Sequence, residues 1–380
     1  MPPGNTVATH DSATVWSRRR VLASLLGVGA LAPFVRGERG DTGDSVLLRY
    51  TAHVPNSHGL YSKVFVPWSA MVTEQTGGRI RWEHYVDALL HGALDGFKAV
   101  ASGVTDYTHG YATYQPGSFH LTHGLQLPFL FANSGVAALV SEELYPEYLK
   151  DEYERMGVYL AHCDSTTAYD IMSKRPVREP ADMRGLKIRS TGGLMAEILR
   201  QVGAVPVVLA AAETYTAFQR GVIDGVALGA PDMVAYRLYE TGTHYLRVGL
   251  THTVIQFCLN PRTFDELPGD LRVQLYNLYR LHGQVASRNF YGGENLDIAI
   301  ETLRAEGIEV TEQTPTERQA WVDAVQPLEQ RFIDENERRG LPATAFVREA
   351  KERAALYANW TDQQLWDYAS ANPVQGIIAL

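Results

Sequence analysis

The stretch Asp182-Met183-Arg184-Gly185-Leu186-Lys187-Ile188-Arg189-Ser190-Thr191-Gly192-Gly193 decides how this chain folds. Its first four residues are turn chemistry. Residues 186–189 alternate apolar and polar side chains, the period of a strand. Ser190 to Gly193 make a glycine-rich loop that leads into a predicted helix over 194–202, and an apolar run at 205–209 follows. Strand, loop, helix and strand in that order form a βαβ unit, which asks for a parallel sheet with helices on its faces. The loop runs into a helix N-terminus, where backbone N–H groups favour an anion.

The same alternation recurs on both sides. Upstream, strands are expected over 46–53, 79–85 and 104–109. The helix between the first two carries Tyr61, Val64, Phe65, Trp68 and Met71 at helical spacing and stops at Gly77-Gly78. A break precedes strands at 158–162 and 169–173. Downstream come a helix over 211–220, a strand over 222–228, and strands at 245–250 and 253–260. From 267 to 356 the pattern is helical except near Ile308-Glu309-Val310. The expected fold is therefore α/β: two lobes joined by hinge strands, with a helical C-terminal region. Residues 46–167 with 251–290 form the first lobe, 168–250 with 291–345 the second, and 346–380 a helical tail.

Composition narrows the function. The 380 residues suit two medium-sized domains, and a formal net charge of -9 argues against nucleic acid as a partner. It does not argue against an anionic ligand, because one buried arginine outweighs a distant negative surface. Two cysteines, Cys163 and Cys258, exclude a disulfide scaffold and a thiolate metal cluster, and free buried thiols are expected. Ser17-Arg18-Arg19-Arg20-Val21-Leu22 followed by a short apolar run to Val35 fits a twin-arginine export signal, so residues 1–45 are expected to be signal and linker. Gly27-Val28-Gly29-Ala30-Leu31-Ala32 matches a degenerate dinucleotide fingerprint, but no strand precedes it and no βαβ unit surrounds it.

Enzyme constellations are absent from the sequence: no H-E-x-x-H, G-x-S-x-G, P-loop or C-x-x-C occurs. Twelve histidines invite a metal reading, but they fall at irregular separations on different expected elements. No metal and no cofactor are expected. A secreted enzyme, exported folded around a cofactor, stands as the alternative.

Five segments in order carry a resemblance. They are Glu74-Gln75-Thr76-Gly77-Gly78-Arg79-Ile80, then Ala99-Val100-Ala101-Ser102-Gly103-Val104-Thr105-Asp106, then Leu127-Pro128-Phe129-Leu130-Phe131. Pro180 through Arg189 and Glu213 through Gly225 complete the set. Together they resemble the DctP-type substrate-binding proteins of TRAP (tripartite ATP-independent periplasmic) transporters. The resemblance implies a periplasmic, non-enzymatic protein that closes on a small carboxylate and presents it to the membrane subunits of such a transporter. It implies that Arg189 grips the carboxylate. A guanidinium suits that role, since its planar fork matches a carboxylate bidentately and stays ionised when buried.

The same resemblance places His53, Asn56 and His58, and then His109, Tyr111 and Tyr114, on loops bordering the cleft, with Tyr169 near the clamp. After Asp224-Gly225 other branches carry polar or acidic residues, whereas this sequence has Val226-Ala227-Leu228-Gly229-Ala230. Leu228 and Gly229 are therefore expected to give an apolar wall, with no carboxylate for a bridging metal. A compact or aromatic monocarboxylate fits such a wall. Glu213, Tyr215 and Asp224 are expected to be structural, with Tyr215 packing inward.

Overall fold

A computed structural model describes residues 45–380; the expected export signal lies outside the described residues. One sheet contains β1 (Val46–Thr51), β2 (Ile80–Tyr85), β3 (Tyr107–Gly110), β4 (Tyr159–Ser165) and β10 (Val254–Leu259), in the order β2-β1-β3-β10-β4. The other contains β5 (Asp170–Ser173), β6 (Lys187–Ser190), β7 (Val205–Val208), β8 (Gly225–Leu228), β9 (His244–Arg247) and β11 (Glu309–Glu312), in the order β11-β9-β5-β8-β6-β7. The βαβ unit read around Arg189 is present, with β6 parallel to both β7 and β8.

The crossing strands explain the antiparallel pairs. The chain leaves the first sheet at the end of β4 and returns at the start of β10, pairing Val254 with Ser165. A chain that departs and returns through one hinge must run back against the strand it left. The two crossing segments are held together by backbone bonds from Thr166 N–H to Thr253 O at 3.0 Å and from Tyr169 N–H to Thr251 O at 2.7 Å. Leu250 N–H returns a bond to Tyr169 O at 2.8 Å.

A third connection is helical. The helix Gly269–Ala286 buries Leu271, Leu275 and Tyr279 in the first lobe, and the helix Gly293–Ala305 buries Ala299, Ile300 and Leu303 in the second. A π-helical turn, Ser287–Tyr291, joins the first of these toward the cleft. It packs on a second π turn, Leu60–Phe65, through a bond from Asn289 Nδ2 to Lys63 O at 3.1 Å. Such turns re-aim side chains within helices, and here they bring Leu60 and Tyr291 to the cleft.

Each sheet has its own hydrophobic core, which corrects the expected boundaries near the C-terminus. Phe332 and Ala343 pack in the first core and not with the second. The expected tail is no appendage: the helices Ala343–Tyr357 and Asp362–Ala371 bury Phe346, Val347 and Leu365 in that same core. Cys163 and Cys258 lie buried and unbonded on the neighbouring strands β4 and β10. Among the described residues no helix is long and apolar enough to cross a membrane.

Candidate ligand-binding site

Arg189 sits on β6, flanked in register by Val207 of β7 and Val226 of β8. Its side chain is 1% exposed and lines a cavity of about 30 Å³ between the lobes. Nε donates to Leu209 O at 3.1 Å, Nη1 to Ala227 O at 3.4 Å and Nη2 to the Tyr114 hydroxyl at 3.2 Å. All three acceptors are neutral oxygens. Among the described residues no carboxylate oxygen lies within 4.0 Å of the guanidinium. Burial works against the charge, but the oxygens of Tyr114 and Tyr169 more than offset it and leave the Arg189 pKa raised. A permanently charged fork is thus buried with no carboxylate beside it among the described residues, a costly arrangement unless an anion joins it.

The walls are aromatic. Tyr169 lines the cavity, and burial pushes its hydroxyl up to about 12, with Arg189 pulling the other way. Tyr111 and Tyr114 face each other edge to face at 5.6 Å and close the first-lobe side. Leu228 also lines the cavity and adds an apolar side chain to it. His53 also lines the cavity, and burial lowers its pKa to about 3, so the imidazole is neutral.

Two expected contacts fall elsewhere. His109 belongs to β3, not to a loop, and points inward behind His53, with its Nε2 2.8 Å from His53 Nδ1. It supports the wall without lining it. Gly229 is not among the residues that line the cavity, and a Cβ there would meet Thr167 Oγ1 at 2.3 Å. The loop Ser190–Gly193 also has a different task from anion binding. Gly192 and Gly193 take positive φ of 87° and 53°, and a side chain on them would strike Thr113 O and Gln126 Oε1 of the first lobe, each at 2.9 Å. The glycines let the lobes meet. Of the residues expected to be structural, Glu213 accepts from Ala210 N–H at 3.2 Å and Asp224 from Lys187 N–H at 2.8 Å. Tyr215 packs inward only in part, since its hydroxyl reaches Glu240 at the surface at 2.7 Å.

Asp232, Tyr236 and Tyr291 are among the cavity-lining residues that were not anticipated. Asp232 contradicts the expectation that no carboxylate follows β8 into the cleft. It lies in the first turn of the helix Ala230–Ala235, and its Oδ1 is 3.3 Å from His58 Nε2 across the cleft. Tyr291 arrives on the π turn, more than a hundred residues from Arg189.

A separate cluster lies inside the first lobe. His162, Asp164 and His282 are buried, with one ligand-type atom from each within 4.8 Å of the others. Two hydrogen bonds tie the cluster together, His282 to Asp164 and Tyr107 to His162. Both Nδ1 atoms converge on Asp164 Oδ1, at 3.1 and 2.9 Å, and Tyr107 takes Nε2 of His162 at 2.5 Å. Burial opposes the charge on Asp164, yet the two imidazoles hold its pKa below the ordinary value.

This two-lobed architecture with an interlobe cavity can be set against known proteins. The profile of bacterial extracellular solute-binding proteins, family 7 (DctP), matches residues 51–336. The chain belongs to this family. A C4-dicarboxylate-binding periplasmic protein DctP of Rhodobacter capsulatus is 25% identical over 337 residues, covering 87% of this chain and 98% of that one. A TRAP solute-binding protein of Rhodoferax ferrireducens T118, in complex with benzoate, superposes with a TM-score of 0.78 at 20% identity, covering 83% of this chain and 99% of that one. Another, from Bordetella bronchiseptica with (R)- and (S)-mandelate bound, gives 0.73 at 24% identity over 82% and 99%. Family 7 membership makes this chain a solute-binding protein and leaves the secreted-enzyme alternative without support.

Proposed function

We propose that this chain is the periplasmic receptor of a TRAP transporter and captures a compact organic monocarboxylate with an apolar or aromatic body between its lobes. One observation carries the reading: the guanidinium of Arg189 is buried in the interlobe cavity against neutral oxygens alone. A ligand carboxylate supplies the missing charge and accepts bidentately. The rings of Tyr111, Tyr114 and Tyr169 give the ligand body apolar faces, each tipped by a hydroxyl. Benzoate and mandelate in the two structural relatives are ligands of this kind. Closure of the lobes on the ligand creates the form that the membrane subunits recognise. Delivery to the periplasm runs through residues 1–45 by the twin-arginine route.

A thermal-shift screen of organic acids tests the ligand class. An acid at 100 times its dissociation constant adds about 2.7 kcal/mol to stability. Small monocarboxylates should raise the melting temperature; stabilisation by neutral sugars alone contradicts the proposal. Export is tested by fusing residues 1–45 to a reporter, where replacing Arg18 and Arg19 by Lys should abolish periplasmic delivery.

A further inference from the structure

The cleft contains two groups of opposite charge that do not neutralise each other. Arg189 and Asp232 line the same cavity, yet no carboxylate of the described residues lies within 4.0 Å of the guanidinium. Asp232 has an unusual address. A first-turn carboxylate ordinarily faces water, where it complements the helix dipole, but this one is 5% exposed and turned into the cleft. Its one close polar neighbour among the described residues is His58, with Nε2 3.3 Å from Oδ1. The Nδ1 of His58 accepts a hydrogen bond from Leu60 N–H at 3.2 Å, which turns Nε2 toward Asp232. A carboxylate offers about four acceptor positions, more than the single close contact with His58 can use.

Resting on the carboxylate reading above, we infer that Asp232, held by His58, is a second recognition pole. It selects monocarboxylates that carry a hydrogen-bond donor, such as a hydroxyl, and rejects ligands with a second carboxylate. A donor placed near Asp232 gains a charge-assisted hydrogen bond to a buried carboxylate. A second carboxylate there meets a like charge at low dielectric, and such juxtaposition suppresses the wrong partner. Tyr111, Tyr169, Tyr236 and Tyr291 line the same cavity as Asp232, and their hydroxyls feel its field.

Titration calorimetry of the full mature chain with three probes tests the inference: benzoate, 3-hydroxybenzoate and benzene-1,3-dicarboxylate. Wild-type protein should bind 3-hydroxybenzoate best, benzoate next and the dicarboxylate roughly tenfold or more weaker than benzoate. In Asp232→Asn the dicarboxylate should recover that loss relative to benzoate, with the thermal unfolding of the ligand-free variant showing that it folds. The wild-type ranking needs no variant and stands if Asp232→Asn proves unstable. Wild-type protein that binds the dicarboxylate as tightly as benzoate overturns the inference, as does an unchanged ratio in a folded Asp232→Asn. A different failure marks the underlying reading: probes that bind Arg189→Ala as tightly as wild type overturn the carboxylate clamp. Wild-type protein that binds none of the three overturns both.

Discussion

Nη2 of Arg189, on the second lobe, donates to the hydroxyl of Tyr114, on the first, at 3.2 Å, while Nε and Nη1 donate to carbonyls of their own lobe. The bond couples the anion clamp to lobe closure. Tyr114→Phe keeps the ring and removes the acceptor. Calorimetry should show ligand affinity lowered by about 0.5–1.5 kcal/mol, the usual worth of one hydrogen bond, with ligand-free unfolding little changed. Unaltered affinity separates closure from the clamp.

Gly192 makes closure sterically possible. Its φ is 87°, and an added Cβ would lie 2.9 Å from Thr113 O, a backbone atom that cannot swing aside. Gly192→Ala should weaken binding more than it weakens the fold. The positive φ itself costs about 1–2 kcal/mol of stability, visible in the urea midpoint. A variant with normal affinity shows that the lobes close without this contact.

Stability should fall in mild acid. Burial lowers the pKa of His53 and His162 to about 3 and of His123 and His252 to about 4, from an ordinary 6.5. Between pH 6.5 and about 4 the unfolded chain therefore binds more protons than the folded one, and stability drops as pH drops. Burial raises Glu142 to about 7 and Asp170 to about 6, and their contribution runs the other way, lost as pH rises through those values. Four imidazoles against two carboxyls leave a net loss on acidification. The urea midpoint should be lower at pH 5 than at pH 7, and His252→Gln should flatten the slope. A midpoint that rises toward pH 5 contradicts the assignment of buried neutral imidazoles.

Much of this was legible in the sequence because it is local. The strand at 186–189, its glycine loop and the following helix place Arg189 in the second lobe facing the cleft, and the structure has that order. Asp232 was hidden by its own position, since an acidic residue in a first helical turn looks like ordinary dipole compensation. Tyr291 was hidden by distance along the chain: only the π turn at Ser287–Tyr291 brings it to the cavity. His109 was expected at the end of its strand, on the lip of the cleft, but the strand runs on to Gly110. Read as a loop tip it faces the cleft, but as part of Tyr107–Gly110 it points into the core. The helices after 343 read as a tail because their apolar stripes do not say which lobe they cover.

The central claim is that Arg189 binds the ligand carboxylate, and calorimetry of Arg189→Ala against wild type tests it most directly. The probe is the acid that stabilises wild-type protein most in the thermal-shift screen. Removing one partner of a buried charged pair costs about 3–5 kcal/mol. Affinity should therefore fall by two orders of magnitude or more, with the ligand-free variant still folded. A folded Arg189→Ala that binds the same acid with unchanged affinity contradicts the account.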